Sequence, residues 1–90
     1  MLGEVSPGLL LQKEGQTVEM LCEARASPAP NLVWYKEGRE LAATDRVTIA
    51  GSRVQITSLG RNDGGVYSCV FKNIVGSVSH IIKLVIQGRT

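Results

Sequence analysis

Asp63, Gly65, Tyr67 and Cys69 occupy alternate positions of the heptapeptide Asp63-Gly64-Gly65-Val66-Tyr67-Ser68-Cys69. In a β-strand, where side chains repeat every second residue, all four would share one face. A thiol in line with a carboxylate and a phenol has three readings: a reactive cysteine, half of a metal site, or scaffolding. Cys22 and Cys69 are the only cysteines and His80 the only histidine. Two thiols do not complete a tetrahedral zinc site unless His80 and a carboxylate supply the other ligands. On facing strands, two buried cysteines form either a disulfide or a packed thiol pair. General acid–base or nucleophilic chemistry needs a base held near a nucleophile, or two carboxylates in a cleft. His80, in the last apolar segment, reads instead as a structural or surface residue. Ser68 lies in no strand–turn–helix context, and no glycine-rich phosphate loop leads into a helix. The chain is therefore expected to carry no catalytic residue, metal or cofactor.

The elements that position these residues follow from the rest of the chain. Ninety residues allow one domain, in which roughly two-thirds of the unfolded surface is buried. Ten basic and eight acidic side chains give a net charge of +2 without a run of like charge, so nothing marks a nucleic-acid partner or a polybasic membrane segment. No apolar run approaches the ~20 residues that span a bilayer, and no small-molecule site is patterned. Met1 reads as a start added to an excised fragment, with the single domain covering 1–90 and its core about 5–87.

Turn-formers recur at Pro7-Gly8, Glu14-Gly15, Ser27-Pro28-Ala29-Pro30-Asn31, Glu37-Gly38, Ala50-Gly51-Ser52, Asn62-Asp63-Gly64 and Gly76-Ser77. Between them the apolar residues alternate: Val18, Met20, Cys22 and Ala24; Leu32 and Trp34; Val47 and Ile49; Val54 and Ile56; Ile82, Leu84 and Ile86. No segment keeps a 3.6-residue period. The chain is all-β, and short strands with one apolar face must pack against a second sheet or close into a barrel. A bridge between Cys22 and Cys69 would close a loop of about 47 residues, for which chain entropy gives roughly 4 kcal/mol.

Cys22, Trp34 twelve positions later, and Asp63-x-Gly65-x-Tyr67-x-Cys69 together resemble the signature of the immunoglobulin fold. Ala24-x-Ala26-x-Pro28-x-Pro30-x-x-x-Trp34-Tyr35-Lys36-x-Gly38, Asn73-x-x-Gly76 and Ile82-x-Leu84-x-Ile86 are similar to segments of its intermediate, or I-set, subfamily. The resemblance implies a two-sheet antiparallel Greek-key β-sandwich, with strands near 3–13, 17–25, 31–37, 40–42, 45–50, 53–58, 65–73 and 77–87. The first segment would be shared between the sheets, one of them holding 17–25, 53–58 and 45–50 and the other 77–87, 65–73, 31–37 and 40–42. It implies a Cys22–Cys69 disulfide beneath Trp34, a core that includes Tyr67, Leu59, Ile56 and Leu84, and an ion pair of Arg46 with Asp63. Phe71 departs from the pattern, where a small side chain is common, so either the core is repacked around its ring or the strand twists. Gly64, where a larger residue is usual, suggests a looser turn.

With Tyr67 and Cys69 inward, strand parity turns Val70 and Lys72 outward, joined by Val33 and Tyr35 and by Ile81 and Val85. Such an apolar patch has three readings: a protein-binding face, the seat of a neighbouring domain or linker of the parent, or a surface without special significance. A second candidate contact lies at one end, where the stiff loop with Pro28 and Pro30 meets the hairpin tip Ile74-Val75. No glycosylation acceptor occurs at Asn31, Asn62 or Asn73. The resemblance implies a protein-binding module of an extracellular adhesion molecule, receptor or matrix protein. The alternative is a structural domain in an intracellular muscle or cytoskeletal scaffold. The partner in either case is another protein or a neighbouring domain.

Overall fold

A computed structural model of the chain describes residues 2–24 and 30–88, in nine strands and one 3-10 turn. The strands are β1 (Leu2–Val5), β2 (Leu9–Lys13), β3 (Val18–Ala24), β4 (Asn31–Lys36), β5 (Arg39–Glu40), β6 (Val47–Ala50), β7 (Arg53–Ile56), β8 (Gly65–Asn73) and β9 (Gly76–Gln87). They form a four-stranded sheet, β1-β3-β7-β6, and a five-stranded sheet, β2-β9-β8-β4-β5. The two sheets form an open β-sandwich of the immunoglobulin type. The first apolar segment divides at Ser6–Gly8, so that β1 pairs with β3 while β2 crosses over and runs parallel to β9. The short turn Arg61–Asp63 precedes β8, where the sequence suggested no helical structure at all.

The alternation of apolar residues produces the core directly. Val18, Met20 and Cys22 from β3, Val54 and Ile56 from β7, and Val47 from β6 face Trp34 from β4, Tyr67, Cys69 and Phe71 from β8, and Ile82 and Leu84 from β9; Leu59 fills the base. Cys22 and Cys69 are joined by a disulfide across the sheets, their Cα atoms 6.5 Å apart. Trp34 lies opposite Cys69 in register. Its indole Nε1 donates to Gly51 O at 3.1 Å, which satisfies the one polar atom of a buried ring. Phe71 is buried as well, sharing a cleft wall with Cys22, Ala24 and Leu32. Strand β8 stays in unbroken register with β4 and β9 through this position, so the core accommodates the ring and the strand does not twist away. Ala26 lies outside the described residues.

The base of the sandwich is closed by a polar network. Arg46 forms a two-pronged pair with Asp63, Nη1 to Oδ2 at 2.7 Å and Nη2 to Oδ1 at 3.2 Å. Nη1 also donates to Thr57 O and Ser58 O, each at 3.2 Å. The Gly60 N–H donates to Asp63 Oδ2 at 2.8 Å, and the Tyr67 hydroxyl donates to Asp63 O. Burial, reinforced by the Asp63 charge, pushes the Tyr67 phenol up to about 12, so it stays a hydrogen-bond donor throughout the physiological range. Gly65 takes φ +143, a conformation that favours glycine, and a Cβ there would stand 2.6 Å from Glu37 Oε2. Gly64 does not loosen the turn: a Cβ on it would lie 3.3 Å from both Ile86 Cγ1 and Leu84 O, so the small residue lets the turn press against β9.

Two outcomes follow. Replacing both cysteines by alanine is expected to cost about 2–5 kcal/mol, which lowers the melting temperature by at least about 10 °C in thermal denaturation followed by circular dichroism. An unchanged melt would show that packing alone holds the sheets. The second outcome concerns Asp63. Burial raises its carboxyl, but the hydrogen bonds from Arg46 and Gly60, helped by the Arg46 charge, outweigh it and hold the carboxyl below the ordinary value of 3.8. The carboxylate's contribution is therefore complete above pH 3.8 and is lost as pH falls through the depressed folded value. Asp63→Asn is expected to melt several degrees below the parent at neutral pH, with the gap narrowing below pH 3.8; a gap constant with pH would refute the linkage.

Candidate functional site

Cross-strand partners lie on the same face of a sheet, so the register defines the outer surface of the five-stranded sheet row by row. Leu11 of β2 lies beside Val85 of β9. The next row runs from Leu9 through Lys83 to Val66 of β8. Below it Ile81, Ser68, Tyr35 of β4 and Glu40 of β5 follow one another. Then come Ser79, Val70 and Val33, and at the hairpin end Ser77, Lys72 and Asn31. The inward partners of the same strands are the core residues, which is why one continuous set of strands can have apolar residues on both sides.

Eight apolar side chains make this outer surface contiguous: Leu9, Leu11, Val33, Tyr35, Val66, Val70, Ile81 and Val85. Leu9 and Leu11 are 53% and 57% exposed and Ile81 59%, whereas Val33, Tyr35, Val70 and Val85 are half-buried by their neighbours. Parity brings together the residues Val33, Tyr35, Val70, Lys72, Ile81 and Val85 that the sequence picks out. It adds Leu9, Leu11 and Val66, which sequence reasoning missed. Val66 was accessible to the same parity argument that turned Val70 outward. The run Leu9-Leu10-Leu11 has no alternation to read, and only the pairing with β9 reveals that Leu10 packs toward the core while its neighbours face out.

Lys13, Lys72 and Lys83 are exposed on this face. The ion pairs among the described residues join Arg46 to Asp63, Arg53 to Glu19 and Arg61 to Glu14, so none of the three lysines is neutralised in that way. Salt-sensitive steering of an acidic partner is the chemistry such cations supply around an apolar centre. The surface is otherwise chemically quiet. His80 belongs to the inward set, half-buried, with its ring Nε2 2.7 Å from Ser6 O. No group of three or more His, Cys, Asp or Glu side chains among the described residues could hold a metal ion.

The second candidate contact is divided by what the structure describes. Pro28 lies outside the described residues, and Pro30 is half-buried immediately before β4. At the β8–β9 hairpin, Ile74 is 93% and Val75 79% exposed. The Asn73 carboxamide oxygen accepts from the N–H groups of Val75 and Gly76 at 2.9 and 3.1 Å, which fixes the turn that presents them.

Comparison with known proteins agrees with this architecture. The model of the Immunoglobulin I-set domain family matches residues 6–86. The chain is 34% identical over 85 residues to Protein turtle homolog B of Rattus norvegicus, covering 94% of this chain and 6% of that protein. It is 34% identical over 84 residues to Cell adhesion molecule 2 of Xenopus tropicalis, covering 92% and 19%. The chain thus spans about a fifth or less of these relatives. Among solved structures, the tandem Ig repeats of Dlar superpose with a TM-score of 0.86 at 27% identity, covering 99% of this chain and 48% of that one. A titin M10–obscurin like 1 Ig complex gives 0.82 at 26%, covering 91% and 88%. With its bridged sheets, its buried indole opposite Cys69 in register and its tyrosine turned back to the chain before β8, this protein belongs to the immunoglobulin I-set domain family.

Proposed function

We propose that the domain is a non-enzymatic protein-interaction module of a larger cell-surface protein, and that the outer face of the five-stranded sheet makes the contact. The observation that carries the reading is the continuity of the apolar surface from Leu11 to Val33 across four strands, with lysines around it. Isolated exposed apolar residues are normal on a soluble domain, but a contiguous patch marks a surface that is covered in use. Tyr35, on the β4 side of the patch, supplies a rigid amphipathic anchor, the kind of residue that concentrates binding energy. The likeness to adhesion molecules such as Cell adhesion molecule 2 supports the same reading. The disulfide supports an oxidising compartment.

An intracellular scaffold domain is the second reading. It is favoured by the likeness to the titin M10–obscurin like 1 Ig complex and by the lack of glycosylation acceptors at Asn31, Asn62 and Asn73. Thiol titration of the full-length protein taken from its native membrane or cytosolic fraction separates the two. No free Cys22 or Cys69 thiol is the extracellular result, and two free thiols are the intracellular one.

The face itself is tested by presenting the domain as a multimer to a panel of cell-surface ectodomains and repeating any positive pairing with Val70→Glu and Tyr35→Ala. Both variants are expected to weaken binding about tenfold or more, with thermal melts close to that of the parent. Undiminished binding by folded variants would rule the face out.

A further inference from the structure

The lateral edge of the same sheet, strand β2, is paired on one side only. The ladder between β2 and β9 uses the Gly8 carbonyl, which accepts from Lys83 N at 2.8 Å, and the Glu14 N–H, which donates to Gln87 O at 3.0 Å. In a parallel ladder the bonded residues alternate along a strand, so the groups turned toward β9 belong to Gly8, Leu10, Gln12 and Glu14. The N–H and C=O groups of Leu9 and Leu11 point the other way, toward the open side of the edge. That open run is bounded at both ends: the Lys13 N–H donates to Gln16 Oε1 at 3.2 Å, and Pro7 has no N–H to offer.

Edge strands of soluble proteins are ordinarily guarded by an internal proline, a bulge, a charged residue in mid-strand or a covering loop. The open run of β2 has none of these and carries two exposed leucines instead. A strand that fits must offer an equally short run of free groups and apolar side chains on the matching face. Another copy of β2 does so. Antiparallel pairing about a two-fold axis through Leu10 sets Leu9 opposite Leu11 of the other copy, and Leu11 opposite Leu9. Each pair exchanges both of its hydrogen bonds, and the four leucines cover one another on the outer face. Lys13 then falls opposite Pro7, so the pairing sets no like charges against each other.

We propose that β2 is a self-association edge, through which two copies of this domain join their five-stranded sheets antiparallel, Leu9 against Leu11, into one sheet of twice the width. This contact differs from the one proposed for the sheet face and leaves that face open, now doubled in extent. An interface of this size is small and its association weak.

The test is analytical ultracentrifugation of this chain over a concentration series reaching about 1 mM, with amide hydrogen exchange recorded at both ends of the series. The expected result is a monomer–dimer equilibrium in which the Leu9 and Leu11 amides slow at least fivefold in the dimer and the Leu10 amide, already bonded to β9, changes little. Leu11→Pro removes only an edge-facing donor and is expected to give a folded monomer. The double variants Leu9→Lys with Leu11→Lys and Leu9→Glu with Leu11→Glu are each expected to be monomeric alone and to associate when mixed. A parent that stays monomeric up to about 1 mM, a dimer that survives Leu11→Pro, or charge variants that fail to associate on mixing would each overturn the proposal. A dimer abolished by Val70→Glu but indifferent to Leu11→Pro would assign self-association to the sheet face and overturn it as well.

Discussion

The covalent link between Cys22 and Cys69 is the constraint on which the rest of this domain depends. A chain of this size has little apolar surface with which to hold two sheets together, and the bridge joins β3, an inner strand of one sheet, to β8, the central strand of the other. Trp34 can then pack beside it with its indole N–H satisfied by Gly51, and Tyr67, two residues before Cys69, is brought within reach of the Asp63 carbonyl. Strand β8 thereby becomes the axis of the molecule. Its odd-numbered residues tie the chain down, and its even-numbered ones are free to vary without disturbing the core.

That division lets a single strand tie down the core with one side and present an exposed surface with the other. Asp63, Gly65, Tyr67 and Cys69 contribute an ion pair, a tight backbone passage, a buried hydrogen bond and a bridge, all of them scaffolding. Val66, Ser68, Val70 and Lys72 look away from these toward solvent. Changes in the second set need not unsettle the first, because the two sets share a backbone but not a packing environment. The same separation holds across β9, where Ile82 and Leu84 are buried while Ile81 and Lys83 are exposed.

Much of the fold was legible in the sequence because the alternating segments are long enough to show their period. Val18 to Ala24 and Ile82 to Ile86 declare an inner face, and the family resemblance carried by Cys22, Trp34, Tyr67 and Cys69 implies the inter-sheet pairing that periodicity alone cannot. Legibility failed where local pattern and tertiary context diverge. Three consecutive leucines give no parity, so the exposed Leu9 and Leu11 became visible only through their pairing with β9. Gly64 looked like slack in a turn, because nothing local to it reveals that Ile86 and Leu84 close over it. Phe71 posed a choice between repacking and twisting that depends on the volume available across the core, a quantity no single strand encodes. The candidate face was half legible: its centre followed from parity on β4, β8 and β9, while its β2 margin depended on which way the crossover at Ser6–Gly8 delivered the chain.

The parallel pairing of β2 with β9 also has a mechanical consequence. These strands lie near opposite ends of the chain, so a pull applied to the two ends draws them past each other along their length. The ladder from Leu9–Lys83 to Lys13–Gln87 is then loaded in shear, with its bonds sharing the tension, rather than being peeled open one bond at a time. Rupture under force is governed by the barrier to unfolding, and here that barrier requires the ladder to give way together. A domain strung between two anchored neighbours would therefore resist extension at its β2–β9 edge, independently of how much free energy its core contributes at rest.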